Sequence, residues 1–356
     1  MNRRGFLRIS TPAALLAGAM AINLLAAADG DAPGAAVLQT TVQSPAGSRL
    51  RVEAPDAHIV RVWLKPAGEF TRQPSLALEA APATRIPLTI AENDGTVTAG
   101  TGALMVRIDR QTLRFEVAAA DGTPLMADVR VAMTTPGAAW TLIHILDAGE
   151  KLFGLGQDNQ NNGRLNRRGV IRELWAGQKI NSGNVTAEYP VPFLLSTGRQ
   201  GHAYGVFFDN VHRLRFDLAK TKADEVRCDA EGGEIDLYVI DGPGLADVIE
   251  RYTSLTGRPS LPPLWALGYW QSKCTYYDWK PLDEAYQQLD ARGFPVDVMV
   301  IDADWPEIVT DYVWAKRWFG PNYTPADKIG AYLKRGVKIV MSQSGPMVRQ
   351  ESPTFA

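Results

Sequence analysis

Residues 296–302 read VDVMVID, and this nearly continuous apolar run is the main indication of how the C-terminal part of the chain folds. Such a run is typical of a strand that is buried on both faces of a parallel sheet. Residues 265–271 and 337–342 are predicted to form the strands before and after it. The three strands start about 31 and about 41 residues apart, close to the ~31 residues per unit of a (β/α)8 barrel. We therefore predict that residues 264–356 form the first three strands of a truncated (β/α)8 TIM barrel.

Two helices are predicted between these strands. The first ends at Gly293, because glycine readily adopts the left-handed conformation that ends helices. The second begins at residues 324–327 (TPAD), which supply an N-capping threonine, a proline at the first helical position and an acidic residue at the third. It ends at Gly336. The apolar faces comprise Leu282, Ala285, Tyr286 and Leu289 in the first helix, and Ile329, Tyr332 and Leu333 in the second.

The chain before the predicted barrel has a different pattern. Residues 35–242 alternate short runs rich in Val, Ile, Phe, Tyr and Trp with turn clusters such as residues 93–95 (NDG). Closely spaced turns with little helical periodicity favour an antiparallel β-sandwich. Residues 243–263 are predicted to form a helix, over 245–255, and a proline-rich connector. The predicted strands are 50–52, 58–64, 103–109, 113–118, 140–145, 203–209, 214–218 and 234–240.

Composition and charge exclude several classes of protein. The 37 Lys and Arg residues nearly balance the 39 Asp and Glu residues, so the formal net charge is −2 and a nucleic-acid partner is not expected. Hydrophobic residues make up 46% of the chain, which is typical of a globular protein. Cys228 and Cys274 are far apart in the sequence, and the four histidines lack metal-ligand spacing. We expect two free, buried thiols and no metal or cofactor.

Residues 1–28 are predicted to be an export signal. Arg3 and Arg4 are followed by Gly, Phe, Leu and Arg, which resembles the twin-arginine signal of bacteria. Residues 12–25 form an apolar run of about 14 residues, shorter than the ~20 of a membrane span, and residues 26–28 fit a cleavage site. After removal of the signal we expect a periplasmic or extracellular protein that is not in the membrane.

Candidate functional residues follow the predicted barrel strands, where enzymes of this fold carry their catalytic groups. Asp302 and Asp304 end the second strand at positions i and i+2, so a continuing strand would direct both carboxylates to one face, roughly 6.5 Å apart. A glycosidase pair approaches the scissile bond from two sides, which argues against these two as the pair. We favour Asp302 as an acceptor of hydrogen bonds from sugar hydroxyls. The alternative is that it caps backbone amides of its own loop.

The loop after Asp304 is rich in aromatic residues. Aromatic rings beside polar groups suit the apolar faces of sugars, and the alternative is that they pack the rim of the barrel. Lys273, next to Tyr276 and Tyr277, is a further candidate for a polar anchor, unless it is simply exposed. The aromatic residues of the loop are Trp305, Tyr312, Trp314, Trp318 and Phe319.

Several motifs, spread in order along the chain, together resemble glycoside hydrolase family 31. They are residues 153–157 (FGLGQ), 163–169 (GRLNRRG), 189–196 (YPVPFLLS), 204–210 (YGVFFDN), 266–273 (ALGYWQSK) and 295–302 (PVDVMVID). The resemblance runs from about residue 35 to the end of the chain.

The resemblance implies a retaining α-glycosidase, of the α-glucosidase or α-xylosidase type, that acts on oligosaccharides through two aspartates and no metal. It places Asp302 at the sugar that is cleaved, with Ala303 lining the same pocket, and the aromatic loop adds Trp305 as a candidate for substrate binding. The nucleophile and the acid/base are expected beyond Ala356, so we expect these residues to be the N-terminal part of the enzyme and inactive by themselves. The alternative is a non-catalytic carbohydrate-binding β-sandwich. The sugar, the choice between hydrolysis and transfer, and the oligomeric state stay open.

Overall fold

The chain divides into two compact units, Met1–Arg258 and Pro259–Ala356. The computed structural model describes residues 36–70, 75–79, 85–133, 138–157, 165–175, 189–199, 202–302, 304–308, 312–319, 324–342 and 350–351. The predicted export signal therefore lies outside the described residues. Within the described ranges no helix is long and apolar enough to cross a bilayer. The boundary between the units falls inside the predicted connector.

The first unit contains two antiparallel sheets, which confirms the predicted β-sandwich. One sheet has the strand order β1-β2-β3-β16-β13-β12-β10 and the other β11-β14-β15-β9-β8-β7-β6-β5-β4. A 12-residue helix, α1 (Leu245–Thr256), follows the last strand where it was predicted. The strands are β1 Gln39–Gln43, β2 Arg49–Asp56, β3 Ile59–Lys65, β4 Thr89–Asn93, β5 Thr96–Gly100, β6 Leu104–Asp109, β7 Phe115–Ala119, β8 Pro124–Met133, β9 Trp140–Ile145, β10 Leu152–Gly154, β11 Val170–Leu174, β12 Phe193–Ser196, β13 Ala203–Phe208, β14 Leu214–Leu218, β15 Glu225–Ala230 and β16 Ile235–Gly242.

The core of this unit lies between the two sheets. In β9 every second residue is buried, so Trp140, Leu142 and His144 point inward, as the two-residue period of a strand requires. Leu142 is fully buried and lies in the same hydrophobic cluster as Val206 of the opposite sheet. Each such aliphatic side chain contributes roughly 1.5–3 kcal/mol by its burial. The inward residues of both sheets therefore hold the sandwich together.

The outer face of the first sheet carries a stack of cationic and aromatic side chains. The Arg61 guanidinium lies 4.2 Å from the ring centroid of Trp63 and 5.6 Å from that of Tyr238. Its Nη2 donates a hydrogen bond to the buried Asp236 carboxylate at 2.7 Å. Burial by itself lowers the pKa of Arg61, but the hydrogen bond and charge of Asp236 outweigh it and hold the pKa above its usual value. The guanidinium is therefore a charged, tightly held part of the sheet.

The FGLGQ motif forms a turn in which two segments approach closely. Gly154, Leu155 and Gly156 all have left-handed backbone, with φ of +89°, +61° and +77°. A Cβ atom on Gly156 would lie 1.8 Å from the carbonyl oxygen of Tyr189, so only glycine fits there. The amide of Gln157 donates to the same carbonyl at 3.0 Å. The glycines of the motif thus serve the packing of the sandwich.

The second unit begins a parallel sheet with helices between its strands, as predicted. A 3-10 turn over Leu264–Leu267 precedes β17 (Trp270–Gln271), and α2 (Trp279–Asp290), β18 (Val298–Ile301), α3 (Lys316–Phe319), α4 (Pro325–Lys334) and β19 (Lys338–Met341) follow. β17 and β19 both pair in parallel with β18, which lies in the middle. The second-unit helix α4 is capped by the Thr324 side chain, which accepts from the amide of Asp327.

Two predictions for this part of the chain were wrong. The first strand was predicted over residues 265–271, but the strand comprises only Trp270 and Gln271, because the apolar residues over Leu264–Leu267 form a 3-10 turn. Apolar runs without periodicity do not by themselves distinguish a buried strand from a helical turn. Cys228 is buried as expected, whereas Cys274, in the loop after β17, is exposed.

Candidate functional site at the carboxyl ends of the parallel strands

The loops that follow β17 and β18 and the first residue after β19 meet at one edge of the parallel sheet. Thr275, in the first loop, donates a hydrogen bond from Oγ1 to Oδ2 of Asp304 at 3.3 Å. The Trp305 indole Nε1 donates to the carbonyl oxygen of Ser342, directly after β19, at 2.6 Å. Ser342 in turn donates its amide to the carbonyl of Ile301 at 3.0 Å. The fold therefore brings together residues that are about 30 to 40 positions apart, as the repeat of a barrel requires.

Asp302 follows the last residue of β18 and lies half-buried at this edge. The condition for Asp302 and Asp304 to share one face, a strand that continues through both, is not met, because the strand ends at Ile301 and Asp304 has a left-handed backbone with φ of +66°. The two-residue period of a strand no longer relates their side chains beyond that point. Ala303 lies outside the described residues, and its role in the pocket stays a prediction.

Trp305 is packed into the second unit rather than exposed at its surface. Its side chain is 3% exposed, and its ring meets that of Trp314 edge to face at 5.3 Å. Trp314 and Phe319 both pack against Trp279 at the start of α2, at centroid distances of 5.6 and 5.2 Å. These residues form the rim packing that was the alternative to sugar stacking. A substrate contact by Trp305 stays a prediction.

Two other aromatic residues of this region are open to solvent. Tyr312 is 57% exposed and Tyr277 is 51% exposed. The Tyr277 ring lies 4.9 Å from that of Trp318, at an interplanar angle of 50°. These are the rings that a sugar in solution can reach most directly, since the other members of the aromatic loop are largely covered.

The residues in and around β17 form a chain of polar contacts that the sequence pattern did not reveal. The Tyr269 hydroxyl donates to Gln271 Oε1 at 2.8 Å, and Gln271 Nε2 donates to the Tyr276 hydroxyl at 3.2 Å. Lys273 is exposed, with its Nζ 5.7 Å from the Tyr276 ring centroid. Thr275 was also missed, because its role depends on a residue that is 29 positions away. Among the described residues no cluster of three His, Cys, Asp or Glu side chains forms a metal site.

Comparison with known proteins identifies the family. Residues 49–217 match the glycosyl hydrolase 31 N-terminal galactose mutarotase-like domain, and residues 259–356 match the glycosyl hydrolases family 31 TIM-barrel domain. The two matches cover most of the chain in the order expected from its motifs. The chain therefore belongs to glycoside hydrolase family 31.

Individual relatives agree with this assignment. Alpha-glucosidase 2 of Bacillus thermoamyloliquefaciens is 32% identical over 286 residues, which are 79% of this chain and 35% of the relative. Alpha-xylosidase XylQ of Lactiplantibacillus pentosus is 30% identical over 211 residues, 58% of this chain and 26% of the relative. This chain thus spans between about a quarter and a third of the length of these two relatives.

The fold is also that of solved structures in the family. The dextranase of Flavobacterium johnsoniae, in a complex with isomaltotriose, superposes with a TM-score of 0.75 at 24% identity. The superposition covers 86% of this chain and 37% of the dextranase chain. It supports the sandwich followed by the start of a barrel.

Proposed function

We propose that the whole protein containing this chain is a retaining α-glycosidase that releases terminal α-linked glucose or xylose from oligosaccharides. Membership of the family and the names of the two relatives support the class of reaction. The observation that carries the proposal is the position of Asp302, directly after the central strand of the parallel sheet. In barrel enzymes the substrate is bound at this edge of the sheet.

The proposed role of Asp302 is to bind hydroxyl groups of the sugar at the cleavage site. A carboxylate accepts hydrogen bonds through two oxygens, and a hydrogen bond to a charged group contributes about 1.5–3 kcal/mol. Its half-buried position suits this task, because partial removal from water strengthens the hydrogen bonds that the carboxylate accepts. Glucose and xylose differ by one CH2OH group, which a pocket distinguishes by only about 1–3 kcal/mol. Both sugars therefore belong in the test.

We also propose that residues 1–356 by themselves do not hydrolyse glycosides. A retaining mechanism needs two carboxylates on opposite sides of the scissile bond, about 5–5.5 Å apart. Asp302 and Asp304 lie two positions apart in the loop that follows one strand, β18, whereas the two carboxylates of a glycosidase flank the substrate. The proposal therefore assigns them to binding and positioning, and no acid/base or nucleophile to this chain.

The test uses the whole protein with nitrophenyl α-glucoside, nitrophenyl α-xyloside and a panel of α-linked oligosaccharides. Asp302→Asn is expected to lower kcat/KM by about 100-fold, which corresponds to about 2.7 kcal/mol of lost binding in the transition state. Asp290→Asn, at an exposed position on α2, is the matched control. Absence of turnover by the wild-type protein on the entire panel refutes the hydrolase. Oligosaccharide binding without turnover then favours the carbohydrate-binding module.

The cellular location is a separate proposal. The predicted twin-arginine signal at residues 1–28 directs the folded protein across the bacterial inner membrane. Replacing Arg3 and Arg4 by lysine is expected to leave the protein in the cytoplasm, and N-terminal sequencing of the exported protein is expected to begin near residue 29. An exported protein that still carries its first residues contradicts the proposal.

A further inference from the structure

The loop after β18 is held at two points by its neighbours. On one side Thr275 Oγ1 donates to Asp304 Oδ2 at 3.3 Å. On the other side Trp305 Nε1 donates to the Ser342 carbonyl at 2.6 Å. Thr275 belongs to the loop after β17, and Ser342 directly follows β19. The loop that begins with Asp302 is therefore tied to the ends of both neighbouring strands.

The backbone conformation of Asp304 indicates what the hydrogen bond from Thr275 does. Its φ of +66° is left-handed, a region that residues other than glycine rarely enter and in which Asp and Asn are enriched. Such a conformation persists when the surrounding contacts hold it. Thr275 is only 7% exposed, and a buried hydroxyl needs an acceptor. The carboxylate of Asp304 supplies that acceptor, and the hydrogen bond fixes the left-handed turn.

We propose that Asp304 is a positioning residue: its hydrogen bond with Thr275 fixes the turn after β18 and so orients Asp302 toward the sugar. The inference rests on the proposed function, since it assumes that Asp302 binds substrate. The two aspartates therefore have different roles. Asp302 contacts the sugar, and Asp304 acts only by holding Asp302 in position. A positioning role needs an acceptor oxygen on a residue that tolerates left-handed backbone, and it does not need a negative charge.

This distinction predicts an order among variants of the whole protein. Asp304→Asn keeps the acceptor and the backbone preference, and its kcat/KM is expected to stay within about threefold of wild type. Asp304→Gly keeps only the backbone preference and Thr275→Val removes the donor. Each is expected to lower kcat/KM about tenfold or more, because small displacements of binding groups are costly in rate. Thr275→Ser restores the donor and is expected to restore activity.

Two further variants make the comparison sharper. The kcat/KM of the double variant Thr275→Val with Asp304→Gly is expected to be no lower than that of the less active single variant, because both changes break the same hydrogen bond. Thr253→Val, on the solvent side of α1, controls for the loss of a threonine hydroxyl elsewhere. Asp304→Asn as damaging as Asp302→Asn overturns the proposal, since the charge of Asp304 would then act on the substrate. A Thr275→Val variant with full activity also overturns it.

A second measurement keeps this inference separate from the proposed function. Amide hydrogen exchange of peptides spanning residues 298–308 is expected to be faster in Thr275→Val than in wild type, and to return to wild type in Thr275→Ser. Equal exchange in all three proteins overturns the positioning role. If the wild-type protein hydrolyses none of the α-glycosides, the proposed function fails, and the exchange measurement still decides whether Thr275 and Asp304 hold the turn.

Discussion

His144 is predicted to make the protein lose stability as the pH falls below about 6.5. It lies on the inward face of β9, is 1% exposed and meets the ring of Tyr204 edge to face at 6.5 Å. Burial disfavours the charged imidazolium and lowers the pKa of His144 from 6.5 to about 4. Between these two values the unfolded chain binds a proton that the folded chain does not. Stability due to this residue is therefore fully present above pH 6.5 and is lost toward pH 4.

The magnitude follows from the difference between the two pKa values. One pKa unit corresponds to about 1.36 kcal/mol, so the whole shift amounts to about 3 kcal/mol. About 2 kcal/mol of this is expected to disappear between pH 7.5 and pH 5, and about 3 kcal/mol by pH 4. This is a large share of the about 5–15 kcal/mol by which folded domains are usually stable. The sandwich is therefore expected to be markedly less stable in mild acid.

The measurement is urea-induced unfolding of wild type and His144→Phe at a series of pH values from 7.5 to 4.5. The difference in unfolding free energy between the two proteins isolates the contribution of His144, because other titrating groups are common to both. His212→Phe, at an exposed position, controls for the substitution itself. Parallel pH profiles for wild type and His144→Phe would show that His144 does not cause the loss of stability in acid. So would an NMR titration in which His144 of the folded protein takes up its proton near pH 6.5.

Three further changes test packing, charge pairing and capping. Gly156→Ala is expected to destabilise the first unit by at least about 3 kcal/mol, since the added Cβ meets the carbonyl of Tyr189. The control is Gly169→Ala, which has the same left-handed backbone but open space around it, and it is expected to cost about 1 kcal/mol. Equal losses of unfolding free energy in urea contradict this prediction. Arg61→Ala removes the arginine that pairs with the buried carboxylate of Asp236 and is expected to lower the free energy of unfolding by about 3–5 kcal/mol. A loss below about 1 kcal/mol in urea unfolding would show that the protein does not need this ion pair for stability. Thr324→Ala removes the cap of α4 and is expected to reduce the stability of the second unit by about 1 kcal/mol, with Thr324→Ser as the control that retains it.

Much of the fold was predictable because its signals are local. The helix start at Thr324 depends on four consecutive residues, and the structure shows the predicted cap, the proline and the acidic residue in place. The apolar run that ends at Ile301 likewise became the central parallel strand. Strands of the sandwich with polar or small residues were not predicted, such as β4 and β15, because their hydrogen-bonding partners define them more than their own sequence does.

The amino-acid sequence was therefore enough to predict the class of fold of each unit and the aspartate that follows the central strand. The way in which that strand ends could be seen only in the folded protein. The structure showed that Asp304 turns into left-handed backbone and that Thr275 and Ser342 hold the loop between them. These contacts join residues 29 and 37 positions apart, and such pairings arise when the parallel strands align. A local pattern records which residues a segment buries, whereas the partners of a loop depend on the packing of separate strands.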